Sequence, residues 1–532
     1  MKKIVSVLIE VLLLMSMIVP ALAADDPNSI SYFAYWCGAL NDDEYVDKYV
    51  EDALGIEIEI KKVDHTDREA VNLMIAQDMP DCMWTESTIS SLDGQEMVRR
   101  IPVDMVKEYA PYVYEIFEKY PMLWAMSLDP EDETQLLFIP DLSDTYTEMY
   151  IYNMYLRYDW VQALNIDLGV NVEQVADRLY VADKGLSLEV FDEVLRQFVK
   201  NDPDGNGQND TQGYVKDYWG FLSAYGLTNG IVQDEDGNAI QFYTHPKMKD
   251  MLNHLQELYA EGLIYHEIFT IGWGEDWELI NNNVCGVWRS STNTLNSWAA
   301  NRPPLTILNN PDSNATILSF PGICDENGRT LSVKEASPAG TSERFVVRWD
   351  VSDEKLAKIL EFVNFAGGWN PDSEVVATLW YGEKGVDWDW NEDGSMPISK
   401  TGLTPGERGT QVFSRNAQVG DEWRWITFEP LFEAGAKYYI VNEGGIWNQD
   451  MVYDYKRDYK NETNAGTIMA EYSEDWYNVR NAYVLDVITG KMTAEEGWDA
   501  YIQQLNDLHY GEYLEELNKC GTTEELIAQY SE

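Results

Sequence analysis

The sequence predicts an α/β protein organised as two large lobes or as two or three domains, on three observations. Between Ile30 and Asp78, short apolar or alternating runs take turns with helix-spaced segments, the β-α-β-α order of a sheet wound with helices. Further on, apolar residues repeat at helical spacing in three long stretches, each with a start or stop signal. The 532 residues carry no internal repeat and no low-complexity linker, so a compact body is implied.

In order, Ile30 to Trp36 reads as a buried strand and Asp43 to Leu54 as a helix. Ile56 to Val63 alternates apolar and charged residues as a strand does, and Asp67 to Asp78 runs as a helix with Leu73, Ile75 and Ala76 inward. Ser187 caps a helix whose apolar positions are Leu188, Phe191, Val194, Leu195 and Phe198. Pro246 to Gly262 repeats the pattern with Met248, Met251, Leu252, Leu255, Leu258 and Tyr259 on one stripe and Gly262 as the C-cap. A helix from about Trp476 to Thr489 stops at Gly490. Thr493-Ala494-Glu495-Glu496 is then a capping box opening a helix with Trp498, Tyr501, Ile502 and Leu505.

Met1-Lys2-Lys3, the apolar run Ile4 to Pro20 and the small residues Ala21-Leu22-Ala23-Ala24 have the order of a secretory signal cleaved after Ala23 or Ala24. Glu10 interrupts the run and leaves it short for a membrane span of about 20 apolar residues. The mature chain is therefore expected outside the cytoplasm, and with no cysteine near the cleavage site a lipid anchor there is not expected.

With 92 acidic and 38 basic residues the net charge is -54, which argues against nucleic acid and anionic membrane surfaces and suits neutral or cationic ligands better. Most of these carboxylates serve solubility. The five cysteines, Cys37, Cys82, Cys285, Cys324 and Cys520, are scattered and form neither a disulfide framework nor a zinc pair. His266-Glu267 begins like a zincin motif, but Thr270 stands where the second histidine belongs.

The loop from Asn201 to Gly213 spaces hard oxygen ligands as a calcium loop does. Asp202, Asp204, Asn206, Gln208 and Asp210 are the candidate ligands, with Gly207 at the sharp turn. Gly213 stands where an EF-hand carries its bidentate glutamate, so a structural calcium is expected rather than a switch. The alternative is a polar turn, since Asp, Asn and Gly favour turns without any metal.

Several segments resemble, in family order, the extracellular solute-binding proteins of ABC transporters, in particular the large alginate-binding and LplA-like sugar-binding group. Ile75-Ala76-Gln77-Asp78-Met79-Pro80-Asp81 is similar to "A-S-G-D-x-P-D", and Leu156-Arg157-Tyr158-Asp159-Trp160-Val161 to "I-R-K-D-W-L". The loop Asp202 to Gly207 is similar to "D-P-D-G-N-G", and Leu258-Tyr259-Ala260-Glu261-Gly262-Leu263-Ile264 to "L-Y-x-E-G-L-I". Tyr381-Gly382-Glu383-Lys384-Gly385-Val386-Asp387-Trp388 resembles "Y-G-x-E-G-x-x-Y". Ile488-Thr489-Gly490-Lys491 with Trp498-Asp499-Ala500-Tyr501 resembles "I-T-G-K…W-D-x-Y". Two departures stand out: the lipobox cysteine common in Gram-positive members is absent, and Thr211 replaces an acidic calcium ligand of the alginate-binding relatives.

The resemblance implies a periplasmic-binding-protein-like fold of type II, two α/β lobes around a ligand cleft, joined by crossings near Thr145 to Asn153, Phe320 to Ser342 and Pro430 to Asn442. The implied organisation is signal peptide 1–24, lobe one over 25–148 and 331–435, and lobe two over 149–330, including loop 202–213, and 436–532. The implied function is capture of an oligosaccharide and delivery to the permease subunits of an importer, by a monomer that is not an enzyme.

Sugars stack C–H faces on aromatic rings and need fixed polar partners for their hydroxyls, and the chain has 19 Trp and 33 Tyr. Strand-end logic selects Tyr35, Trp36, Asp81, Trp84 and Glu86 in the first lobe. In the second it selects Trp288 and Arg289 after the apolar run Val284 to Val287, Trp273 and Trp447 in Gly-rich loops, and Trp476 before Tyr477 at a helix start. For each ring the alternative is core packing; Trp160 and Trp498, on amphipathic helices, are expected in the core. Arg157 is expected to pair with a neighbouring carboxylate rather than a ligand. The competing functions are a secreted glycoside hydrolase, which needs only a pair of carboxylates, and an adhesion protein, which predicts repeats.

Overall fold

The computed structural model describes residues 26–34, 44–64, 67–86, 92, 96–129, 131–143, 152–272, 274–295, 301–334, 339–402, 413, 417–418, 423, 430–439, 446–447, 451–453, 464–521, 525 and 528–529. The expected signal segment, Tyr35, Trp36 and Trp273 lie outside them, as does most of the expected first crossing.

In chain order the principal elements begin with β1 (Ser29–Ala34), α1 (Glu44–Leu54), β2 (Glu57–Ile60), α2 (Arg68–Asp78), β3 (Cys82–Thr85) and β4 (Ile139–Ser143). There follow β5 (Tyr152–Arg157), β6 (Val172–Ala176), β7 (Leu179–Ala182), α3 (Leu188–Lys200), β8 (Gln212–Tyr214), a 3₁₀ segment (Tyr218–Tyr225) and α4 (Lys247–Ala260). The chain continues through β9 (Cys285–Ser291), β10 (Ile317–Phe320), β11 (Ala339–Val347), α5 (Asp353–Ala366) and β12 (Ala417–Gln418). It closes with α6 (Asn464–Ile488), α7 (Ala494–Asp507) and α8 (Tyr510–Leu517). The described residues fall into two compact units. One takes those within Met1–Lys119, Ser127–Asp141 and Thr341–Ala417, and the other those within Tyr120–Met126, Leu142–Gly340 and Gln418–Glu532.

The first unit is built on a six-stranded sheet in the order β2-β1-β3-β11-β4-β12. β1 pairs in parallel with β2 and β3, and β11 runs antiparallel to β3. All four residues of β3 are buried, as an inner strand of a sheet covered on both faces requires. The expected strand Ile56 to Val63 shortens to Glu57–Ile60, which pairs only with β1 and shows the half-exposed alternation of a margin. In α2 the inward residues are Val71, Met74 and Ile75. Leu73 is 53% exposed and Ala76 is exposed, which corrects the expected face for both. At 3.6 residues per turn Leu73 stands on the opposite side of the helix from Val71 and Ile75.

The second unit carries a six-stranded sheet in the order β8-β9-β5-β10-β7-β6. β8 is parallel to β9 and β7 to β10, while β5 runs antiparallel to both β9 and β10. Alternation along the central strands sends Met154, Leu156, Val287, Leu318 and Phe320 into a core shared with α3, α4, α6, α7 and α8. It sends Tyr155, Trp288 and Ile317 to the opposite face, against Tyr438, Tyr439 and Trp447.

The helix signals operate as read. Ser187 accepts from the Val190 amide at 3.3 Å, burying Phe191, Val194, Leu195 and Phe198 on α3. Gly262 ends the α4 segment at φ 76°, the left-handed conformation that glycine adopts without strain. The capping box closes in both directions: Glu496 Oε2 accepts from the Thr493 amide at 2.9 Å, and Thr493 Oγ1 from the Glu496 amide at 3.3 Å. α6 starts at Asn464, well ahead of the expected Trp476. Trp160 is 1% exposed and Trp498 packs against the same core. No helix among the described residues is long and apolar enough to cross a membrane.

Candidate functional site

In the second unit, β7, β8, β9 and β10 all end at one edge of the sheet, where the antiparallel β5 begins. Strand ends of this kind are where α/β sheets present side chains to ligands. Arg289, near the end of β9, lies with its guanidinium 4.0 Å from the Tyr152 ring centroid, and Tyr152 is 55% exposed. Arg289 Nη1 is 3.7 Å from Asp217 Oδ2 in the loop after β8. Asp217 in turn caps the 3₁₀ segment by accepting from the Trp219 amide at 2.9 Å. Arg289 is thus a positioned cation on an exposed ring, with its carboxylate partner at the long end of ion-pair distance.

On the other face of the same edge lies a buried polar group. Asn153 Nδ2 donates to Ser319 Oγ at 2.6 Å, and the Tyr155 hydroxyl donates to the Ser291 carbonyl at 3.3 Å. Burial pushes the Tyr155 pKa up to about 12, against hydrogen bonding from Thr294, Asn153 and Ser319. The buried Asn153 Oδ1 has no hydrogen-bond partner among the described residues. A free acceptor at a strand end suits a hydroxylated ligand or a water. Tyr152, Asn153 and Asp217 had no sequence signal beyond their place at a strand start or before an aromatic run.

The strand ends of the first unit carry Glu86, which follows β3, and Arg344, opposite Thr85 in the antiparallel register. Burial lowers the Arg344 pKa, while the Asp141 and Glu86 carboxylates work to raise it. β1 points toward the same edge.

The other expected ligand residues have clear places. Asp81 precedes β3, at the opposite end of the strand from Glu86. Its Oδ2 accepts from the Ser31 amide at 2.8 Å and lies 2.8 Å from Lys355 Nζ, and its Oδ1 is 2.9 Å from Arg348 Nη2. Trp84 sits within β3 rather than after it and packs against Phe345 and Trp369. Trp288 likewise lies inside β9, 1% exposed and stacked on Tyr155 at 5.6 Å, with no hydrogen-bond partner for its indole nitrogen among the described residues. Trp447 donates to the Ala182 carbonyl and Trp476 to the Leu508 carbonyl, each at 2.9 Å, and both rings are packed among tyrosines. Arg157 is held by Asp159 through both arms of its fork, at 2.9 and 2.6 Å, as expected for a structural pair.

In loop 202–210, Gly205 and Gly207 take left-handed conformations and the chain folds back on itself. Asp202 accepts from the Asn206 and Gly207 amides at 2.9 and 2.7 Å, and Asn206 Nδ2 donates to Asp204 and Asp210 at 3.1 Å each. Burial, together with the neighbouring Asp202 and Asp210 charges, raises the Asp204 pKa. Such like-charge crowding of hard oxygens is the donor chemistry calcium needs. No group of three or more His, Cys, Asp or Glu side chains among the described residues is drawn together as a metal site, and the Asn206 amide bridges the Asp204 and Asp210 carboxylates.

The fold is that of the substrate-binding proteins of ABC transporters. A Streptococcus pneumoniae ABC-transporter substrate-binding protein, FusA, in an EF-hand mutant bound to fructo-nystose, matches with TM-score 0.69 and 17% identity over 94% of this chain and 99% of that one. A Bifidobacterium longum infantis solute-binding protein described as binding HMO matches with TM-score 0.66 and 14% identity over 96% of this chain and 100% of its own. The alginate-binding protein AlgQ2, in a structure without calcium ion, matches with TM-score 0.64 and 17% identity over 93% and 98% of the two chains. In sequence, the lipoprotein LipO of Bacillus subtilis is 31% identical over 125 residues, which span 21% of each chain. No family model matches.

Proposed function

We propose that this protein is the extracytoplasmic substrate-binding component of an ABC importer, which captures an oligosaccharide and hands it to membrane permease subunits. The observation that carries this reading is the shared fold over nearly the whole chain with proteins whose names give fructo-nystose, HMO and alginate as what they bind. The strand ends support it chemically. In the second unit, Arg289 and Tyr152 offer a ring and a fixed cation, and Asn153 an unspent acceptor. In the first, Glu86 supplies the carboxylate type that sugar hydroxyls select, and the reading keeps Tyr35 and Trp36, next in sequence after β1, as aromatic candidates. Trp273, Trp288 and Trp447 remain ligand candidates in this reading, although the last two also serve packing. The reading includes a structural calcium in loop 202–210, held by Asp202, Asp204, Asn206, Gln208 and Asp210. The printed descriptions of AlgQ2 and FusA, which mention calcium and an EF-hand, support that part.

The test is a thermal-shift screen of the mature protein against oligosaccharides, dipeptides and small cofactors, followed by calorimetry on each hit. A ligand that binds only the folded state raises the melting temperature, by about 2.7 kcal/mol of stability at a hundredfold excess over Kd. Oligosaccharide hits alone are expected. Dipeptide hits with no sugar hit would replace the substrate class.

A further inference from the structure

In a chain with 92 acidic residues, Arg480 on α6 meets no carboxylate among the described residues. It is 8% exposed, and among the described residues its hydrogen bonds go only to the amide oxygen of its neighbour Asn481, at 3.3 Å from Nε and 3.2 Å from Nη2. Two other buried or half-buried arginines are held by carboxylates instead: Arg157 by Asp159, and Arg348 by Asp81 and Asp350. A buried guanidinium without an anion is costly, because its donors have left water without a full set of partners.

The surroundings of Arg480 are tyrosines. Its guanidinium carbon lies 4.5 Å from the Tyr477 ring centroid and 5.5 Å from that of Tyr243. Tyr477 is 53% exposed, so the frame has a side open to solvent. The Tyr218 hydroxyl is buried with no hydrogen-bond partner among the described residues. Burial raises its pKa, and the Arg480 charge opposes that rise. Cation–π contacts offset part of the cost of the unpaired guanidinium and leave its donors unspent. Asp217, which pairs with Arg289, is the residue before Tyr218, so one dipeptide step links this frame to the strand-end site.

We propose that Arg480 and the Tyr218 hydroxyl, framed by Tyr243 and Tyr477, receive the carboxylate or sulfate group of an acidic saccharide, which makes the cargo an anionic sugar rather than a neutral one. This rests on the sugar-binding reading above. The net charge of -54 disfavours an anion at long range. Exposed charges are, however, largely screened beyond about 8–10 Å at physiological salt, whereas a desolvated guanidinium acts at contact through a bidentate, charge-assisted pair.

The experiment is calorimetric titration with matched pairs: oligogalacturonides against their methyl esters, and sulfated galactan fragments against desulfated ones. The first pair reports a carboxylate and the second a sulfate. The wild type is expected to prefer the anionic member of one pair by about tenfold or more. Arg480→Gln should erase that preference, and Arg480→Lys should retain part of it. Tyr218→Phe should weaken anionic binding with little change in melting temperature, since its buried hydroxyl makes no well-formed hydrogen bond among the described residues, and it carries the test if Arg480→Gln folds poorly. Equal affinity within both pairs, a preference that survives Arg480→Gln, or anionic binding left unchanged by Tyr218→Phe, overturns the anion site and leaves sugar capture standing. No binding to any saccharide, charged or neutral, overturns both readings.

Discussion

Lys355 Nζ lies 2.8 Å from Asp81 Oδ2, and both side chains are buried, so the "P-D" turn before β3 is fastened to the first turn of α5 by a desolvated ion pair. Arg348, 2.9 Å from Asp81 Oδ1, completes the set. Breaking such a pair from one side leaves a buried charge alone, which costs about 3–5 kcal/mol. Asp81→Asn and Lys355→Met are each expected to lower stability by that order in denaturant titration. A paired Asp81→Asn, Lys355→Met variant should lose less than the sum.

The pH dependence of that pair has a definite sign. Burial works to raise the Asp81 pKa, but the Lys355 hydrogen bond, the Ser31 amide and the two cations prevail and hold it below 3.8. A carboxyl depressed in the folded state contributes stability above its unfolded pKa and loses it as pH falls through the folded value. Acid unfolding below about pH 4 should therefore be blunted in Asp81→Asn relative to wild type. Parallel acid titrations of the two proteins, followed by circular dichroism, check this.

That network also shows where sequence reasoning stops. The β-α alternation of the first unit, the Ser187 cap, the Thr493–Glu496 box and the pairing of Arg157 with Asp159 were legible because each is local, spanning one to four residues. The partners of Asp81 lie on distant segments, and no local pattern names them. The apolar run stops at Val287, so the sequence pattern puts Trp288 after its strand. Yet β9 continues through Arg289, Ser290 and Ser291, whose backbone pairs with Met154, Asn153 and Tyr152 whatever their side chains. Backbone pairing needs no apolar residue, so polar strand ends read as loops.

If loop 202–210 wraps calcium, removing the ion leaves Asp202, Asp204 and Asp210 facing one another. Chelator treatment should then lower the melting temperature, Asp204→Ala should remove the sensitivity, and the effect should shrink as pH falls toward the carboxylate range, because calcium requires ionised ligands. Metal content measured before and after chelation anchors the comparison. Superimposable melting curves, from protein shown to start with calcium, would leave the loop a turn closed by Asn206.

Binding without turnover separates the importer reading from a hydrolase. The purified protein, incubated with its best saccharide, is expected to leave it intact by chromatography and reducing-end assay. Steady release of reducing ends that disappears on changing one pair of carboxylates would favour the hydrolase.

Tryptophans divide by a paired measurement of affinity and stability. Trp36, just beyond β1, is expected to act on the ligand: Trp36→Ala should weaken binding about tenfold, or roughly 1.4 kcal/mol, with little change in melting temperature. Trp84, enclosed by Phe345 and Trp369, should behave as core, with Trp84→Ala costing about 3–5 kcal/mol of stability. Trp288 is the informative case, because its ring is stacked on Tyr155 while its buried N–H has no partner among the described residues. An unpaired buried donor carries a penalty of about 1–3 kcal/mol, so Trp288→Phe, which deletes that donor and keeps a ring, should cost little stability. If the N–H is reserved for the ligand, the same variant should still bind more weakly. Unchanged affinity in Trp288→Phe, with a normal melting temperature, would assign Trp288 to packing alone.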